Sequence, residues 1–196
     1  MSYRMADKFW TTSDGQSQFG LSQDEKDENA SRIYTFFTKQ GWTKEAICGM
    51  LGNMDVESRM NPRAENQGTD SYGLVQWHPS SKLTNWAISE SLDWELGITQ
   101  CKRIAYEEML NLQWASWSTY TFSYWAREMV DTVENMANIF MTHYEVADPG
   151  TLAERQEWAL YYYDVVKLIS DFPLFIIPMS AVMKKKHPLK KPRCIL

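Results

Sequence analysis

Between Ala46 and Trp77 an apolar run ends on a carboxylate and is followed at once by a polar loop and a glycine. Ile47, Cys48, Met50, Leu51, Met54 and Val56 read as one helix, closed by Glu57-Ser58. An acid set against apolar neighbours has its charged form disfavoured, which keeps a proton available for donation near neutral pH. Asn61-Pro62, Asn66, Gly68 and Asp70 have the composition of a turn-rich connection. Gly73, within Tyr72-Gly73-Leu74-Val75-Gln76-Trp77, lets the backbone come close to an occupant. Acid, polar loop and Gly-Gln-Trp rim together suggest a groove for a sugar chain.

Glu57-Ser58, Asn61-Pro62-x-Ala64 and Tyr72-Gly73-Leu74-Val75-Gln76 resemble the E-S-x-x-x-P-x-A and G-L-M-Q signature of goose-type lysozymes and soluble lytic transglycosylases. The longer string from Gly41-Trp42 to Asn53-Met54, with Lys82-Leu83-x-x-Trp86-Ala87, Phe140-x-x-x-Tyr144-Glu145 and Arg155, is similar to the phage tail lysozyme family. The resemblance runs from about Ala30 to Val166. It implies a mostly α, lysozyme-like helical domain with a small extended β segment beside the active-site cleft. It implies cleavage of the β-1,4 bond between N-acetylmuramic acid and N-acetylglucosamine, with peptidoglycan glycan strands as the substrate. It also implies a virion enzyme of the phage tail, among other phage tail proteins, that opens the bacterial cell wall during infection. No metal or organic cofactor is implied.

Composition agrees with one globular domain: 196 residues, of which 44% are hydrophobic and 23% charged, suffice for a core. Nine tryptophans supply faces of the kind that stack against sugars, although most are expected inside. A net charge of −5 argues against a nucleic-acid partner, because neutralising phosphates needs a basic surface. Only the C-terminus is basic, through Lys184, Lys185, Lys186, Lys190, Lys191 and Arg193, and it reads as a solvated segment or an anionic docking site. No apolar run reaches the ~18 residues of a membrane span, and no signal-type run follows Met1. Cys48, Cys101 and Cys194 are too few and too far apart for a disulfide framework or a zinc site.

Along the chain, residues 1–23 read as a peripheral N-terminal arm, residues 24–170 as the lysozyme-like domain, and residues 171–196 as a short apolar segment with the basic tail. Within the domain, a helix starts in the acidic stretch Asp24 to Glu28 and stops at Gly41. Thr43 is placed to cap the next helix, with Glu45 in its first turn, and that helix delivers Glu57. Tyr72 to Trp77 is expected to be extended. Ser80 or Ser81 caps a helix through Ile88, and another spans Asp93 to Leu112. Helix resumes near Tyr124, forms a stripe from Asp131 to Tyr144, and continues from Thr151 to Ile169 after the break at Asp148-Pro149-Gly150.

Glu57 is the candidate general acid: protonating the glycosidic oxygen turns a poor alkoxide leaving group into an alcohol. Its bland alternative is an ion pair with Arg59 or Arg63. Asp70 is the candidate second carboxylate, or else an ordinary turn aspartate; lytic transglycosylases work without such a partner, the sugar's N-acetyl group assisting and its 6-hydroxyl attacking. Ser58, Tyr72, Gly73, Gln76 and Trp77 are the expected substrate contacts around the acid, with Tyr72 and Trp77 equally able to be core. Tyr144 falls where lytic transglycosylases place a Tyr in an A-Y-N motif, but here Glu145 follows it; both are candidate substrate-binding residues. Two other classes compete with the glycosidase: a thiol amidase built on Cys48 and His143, and a catalytically inert helical wall-binding or tail structural protein.

Overall fold

Ser22 and Thr43 start the first two helices by the same means, a side-chain oxygen turned onto a backbone N–H that the helix leaves unpaired. Helix α1, Gln23–Lys39, begins with a capping box in which the Glu25 carboxylate in return accepts from the Ser22 N–H at 2.7 Å. Helix α2, Lys44–Ser58, is capped by Thr43, whose hydroxyl accepts from the Ala46 N–H at 3.2 Å. The computed structural model describes residues 21–66 and 68–170. The expected arm lies almost wholly outside these residues, and the apolar segment and basic tail of residues 171–196 lie entirely outside them.

Five more helices follow: α3 (Ser81–Ser89), α4 (Gly97–Leu110), α5 (Phe122–Arg127), α6 (Val133–Phe140) and α7 (Leu152–Ser170). Between α2 and α3 the chain makes a small antiparallel sheet, β1 (Glu65–Asn66) on β2 (Ser71–Tyr72), with Glu65 opposite Tyr72. The architecture is thus mostly α with one small extended element.

Helix α2 runs through the middle. Every residue from Ala46 to Asp55 is buried, as expected of a helix apolar on nearly all sides. It packs chiefly against α7 and α6, and also against α1. Two glycines let those neighbours in: a Cβ on Gly49 would stand 2.8 Å from the Ala137 backbone N, and one on Gly52 would stand 2.2 Å from the Arg155 carbonyl oxygen. At the far side of α2, Lys26 pairs with buried Asp55 at 3.0 Å, and the Tyr162 hydroxyl donates to the same carboxylate. An aromatic cluster of Trp42, Phe122, Trp125, Phe140 and Tyr144 closes the other end of the core.

Between the end of α2 and the start of α4 the structure departs from the sequence reading in three places. Tyr72 to Trp77 is not an extended run: only Tyr72 lies in the sheet, and the segment folds back so that Tyr72 and Trp77 exchange backbone hydrogen bonds of 3.2 and 3.0 Å. Positive φ at Gly73 (86°) and Gln76 (47°) makes that reversal. Ser80 precedes α3 without capping it, because its hydroxyl is spent on Asp70 at 2.7 Å. Helix α4 starts at Gly97, Asp93 instead accepting from the Glu95 N–H in the turn before it.

Substituting Gly52 is the direct test of this packing. Gly52→Ala forces a methyl into the α7 backbone, and overpacking of this kind costs about 1–3 kcal/mol. The melting temperature should fall by roughly 2–4 °C for each kcal/mol lost. An unchanged melting curve would show that α2 and α7 separate without cost.

Candidate active site

Glu57 lies in the last turn of α2, its side chain 21% exposed, where Asp55 is already wholly buried. The ion pair weighed for it exists, but with a different arginine. Arg155, from the first turns of α7 and nearly shut from solvent, donates to Glu57 Oε1 at 2.6 Å and to Asn53 Oδ1 at 2.8 Å. Asn53 is itself fixed one turn earlier in α2, donating to the carbonyls of Gly49 and Ala137. Arg59 and Arg63 are engaged elsewhere, Arg59 with Asp55 and Glu154, Arg63 with Glu95. The environment expected around Glu57 is therefore corrected: it meets a guanidinium, not an apolar wall.

A shielded carboxyl oxygen is found on Glu145, a residue half-buried as a whole. After α6 the chain widens into a single π turn, Met141–Glu145, which ends at Val146 with φ 51°. Sequence periodicity carried a regular helix through this point, whereas the wide turn shifts the side chains that follow out of α register. Tyr144 points into the core, and its hydroxyl donates to Glu107 on α4. Glu145 Oε1 is closed off from solvent and has no hydrogen-bond partner among the described residues. Burial, and then the charge of Glu57, push the Glu145 carboxyl well above the usual carboxylate range; Arg155 works against them.

Glu107 holds this corner together. Fully buried, it accepts from Trp77 Nε1 at 3.0 Å, from Arg103 Nε at 2.8 Å and from the Tyr144 hydroxyl, so one carboxylate ties the 72–77 loop and the π turn to α4. Burial also raises its own carboxyl above the usual range, while Arg103 and the hydrogen bonds oppose the shift. The sequence reading passed over Glu107, because an acid inside a helical stripe carries no mark of being buried until the partners from distant segments are known.

The remaining predicted contacts sort by burial. Ser58, Trp77 and Tyr144 are inside: the Ser58 hydroxyl lies 3.0 Å from the Met54 carbonyl and 2.9 Å from that of Leu74, and Trp77 is 1% exposed. They support the site from behind and present no surface to a strand. Gly73 is required by a protein neighbour, since a Cβ there would stand 2.7 Å from Gln100 Oε1, which accepts from the Leu74 N–H. Gln76 donates to the carbonyls of Ala64 and Gly73, bracing the loop. Asp70 and Tyr72 line a separate cavity of about 330 Å³ with Glu65, Ser71, Ser80, Thr84 and Trp94; Glu57 is not part of that lining. Burial and the nearby Glu95 push the Tyr72 hydroxyl up to about 12, so it stays protonated near neutral pH.

Cys48 and His143 show none of the features of an activated thiol pair. Cys48 is fully buried in α2, and desolvation pushes its thiol far up. His143 lies among Trp114, Trp117 and Tyr120, with Nδ1 3.0 Å from the Ile139 carbonyl. Among the described residues, no three His, Cys, Asp or Glu side chains gather closely enough to hold a metal ion.

Comparison with known sequences places the chain among phage proteins it is similar to. A family model described as phage tail lysozyme matches residues 28–166. Morphogenesis protein 1 of Bacillus phage B103 is 35% identical over 172 residues, which cover 82% of this chain and 47% of that protein. The chain thus spans about half the length of this curated relative.

A thiol reagent distinguishes the buried-cysteine arrangement from a reactive one. Applied to the folded protein near neutral pH, it should leave Cys48 and Cys101 unmodified, both reacting only after denaturation. Peptide mapping by mass spectrometry reads each cysteine separately. Rapid labelling of Cys48 in the folded state would restore the thiol-enzyme reading.

Proposed function

Since this chain belongs to the phage tail lysozyme family, we propose that it is a glycosidase that cuts peptidoglycan between N-acetylmuramic acid and N-acetylglucosamine, with Glu57 protonating the glycosidic oxygen. The observation that carries this reading is the placement of Glu57. It is a solvent-reaching carboxyl at the C-terminal end of a helix buried from Ala46 to Asp55, its orientation fixed by an arginine that Asn53 and Thr151 hold in turn. A general acid needs a fixed direction toward the leaving oxygen as much as it needs a proton.

Asp70 is assigned to binding the strand. Its carboxylate accepts from the Ser80 hydroxyl and lines a cavity shared with Tyr72 and the half-buried ring of Trp94, a combination of polar groups and an aromatic face suited to a sugar. With Asp70 in that part, attack by the sugar's own 6-hydroxyl is the course favoured over a water activated by a second carboxylate. The likeness to a phage morphogenesis protein supports a place in the virion, and the family description supports the tail, where the activity would open the cell wall during infection. No described helix is long and apolar enough to cross a membrane.

Products of peptidoglycan digestion, read by mass spectrometry, test the proposal. Muropeptides with 1,6-anhydro ends are expected; ordinary new reducing ends would mean hydrolysis, new free amines an amidase, and no products an inert tail or wall-binding protein. Glu57→Gln keeps the shape of the side chain but removes its transferable proton, so turnover should fall by a factor on the order of 10²–10⁴ while strand binding survives. A variant within threefold of the parent would remove Glu57 from the role.

A further inference from the structure

From Trp114 to Tyr124 the chain interleaves aromatic rings with serines and threonines, and between Gln113 and Ala126 no residue is charged or is Leu, Ile, Val or Met. Trp114, Phe122 and Trp125 turn into the core, whereas Trp117 is 62% and Tyr124 44% exposed and Tyr120 is half-buried. His143, on the π turn, joins the outer rings. Its centroid is 4.6 Å from that of Trp117 and 5.2 Å from that of Tyr120, which in turn lies 6.3 Å from Tyr124. The ridge is held from behind. Buried Trp114 stacks on His143 at 5.3 Å and donates through Nε1 to the Tyr120 carbonyl at 2.9 Å. The Ser118 hydroxyl donates to the same carbonyl at 2.8 Å, and the Ala115 N–H donates to the His143 carbonyl at 2.7 Å. A surface fixed before its occupant arrives gives up little freedom on binding.

We propose that Trp117, Tyr120, Tyr124 and His143 form a sugar-binding platform that takes pyranose rings of a glycan strand without sharing in the chemistry at Glu57; glycan as the ligand rests on the glycosidase reading. None of the four lines the Asp70 cavity, so the platform is a second place of contact with the strand. Contiguous exposed apolar surface of this kind marks a binding site. Its composition chooses the occupant. A polyanion would need cations, which the segment lacks. A protein partner favours aromatics together with Met and Arg and disfavours Ser, whereas here Ser and Thr fill the gaps between rings. Rings offer apolar faces to the sugar, and the exposed Ser116 and Thr119 add polar groups beside them. His143 adds another. Its Nδ1 lies 3.0 Å from the Ile139 carbonyl, which can only accept, so Nδ1 carries the proton and Nε2 of the neutral ring is an acceptor. Burial, and then Asp131, raise the Tyr120 hydroxyl, which keeps its proton on offer. A sugar hydroxyl both donates and accepts, and so suits the imidazole and the phenol alike.

The test adds peptide-free glycan strands from peptidoglycan to the full chain carrying Glu57→Gln, so that the strands stay intact. The indole N–H signal of Trp117 in the NMR spectrum, identified by its loss in Trp117→Ala, should shift as strands are added. Trp117→Ala should weaken strand binding by about tenfold or more, the scale of truncating an aromatic hot spot, while Trp117→Phe keeps most of the affinity. Because Trp117 is largely exposed, Trp117→Ala should melt with its parent; if it melts earlier, the indole signal and Trp117→Phe decide. A Trp117 indole that the strands leave unmoved, or a Trp117→Ala protein that binds them as tightly as its parent, would overturn the proposal. Self-association lost in Trp117→Ala, with the indole blind to strands, would overturn it too and make the ridge a contact between copies of this chain. The two readings fail separately. A moving indole, with no glycan products from the chain that keeps Glu57, leaves the platform standing and removes the glycosidase; products with an unmoved indole do the reverse.

Discussion

The close approach of three helix backbones at Gly49 and Gly52 is the constraint on which the rest depends. Each glycine inside a helix costs about 1 kcal/mol relative to alanine, so two of them one turn apart mark places where something else requires the space. Here the space is taken by the backbones of α6 at Gly49 and α7 at Gly52. With a side chain in either place the helices would stand further off, and an arginine from α7 would not reach an acid on α2 at 2.6 Å.

That approach also explains why polar groups are tolerated so deep in the core. Asn53 is completely buried, yet its amide reaches carbonyls on both α2 and α6 while its oxygen receives Arg155, so each burial is matched by a hydrogen bond. Glu107 does the same for the opposite wall, gathering Trp77, Tyr144 and Arg103. The candidate site is a seam between two such anchored groups. The loop carrying Gln76 is braced through the Ala64 and Gly73 carbonyls, the turn after α6 is tied to Glu107 through Tyr144, and Glu57 reaches solvent at the seam.

Much of this architecture was legible in the sequence because it depends on local chemistry. Thr43 reads as a cap, Gly41 as a stop, and the run from Ala46 to Met54 as a buried helix, each from a few adjacent residues. Glu57 was likewise legible as the terminal acid of that run. What was not legible depends on partners far apart in the chain. The arginine that meets Glu57 is 98 positions away, whereas Arg59 and Arg63 were nearer and wrong. Ser58, Trp77 and Tyr144 carry residue types that suit a sugar site equally well as a core, and only burial separates the two. Tyr72 to Trp77 has the composition of a strand, but left-handed backbone at Gln76, which no side-chain pattern announces, turns it back.

The π turn at Met141–Glu145 makes chain length, as well as residue identity, a determinant of the site. A wide turn contains one residue more than the α turn it replaces. A relative lacking one residue between Phe140 and Val146 could keep both Tyr and Glu and still aim its acid elsewhere, since an ordinary turn would restore the α register. Single-residue insertions and deletions, which leave the apolar stripe of α6 intact, are therefore a route by which such a domain can re-aim the side chains after Phe140 without any change in their identity.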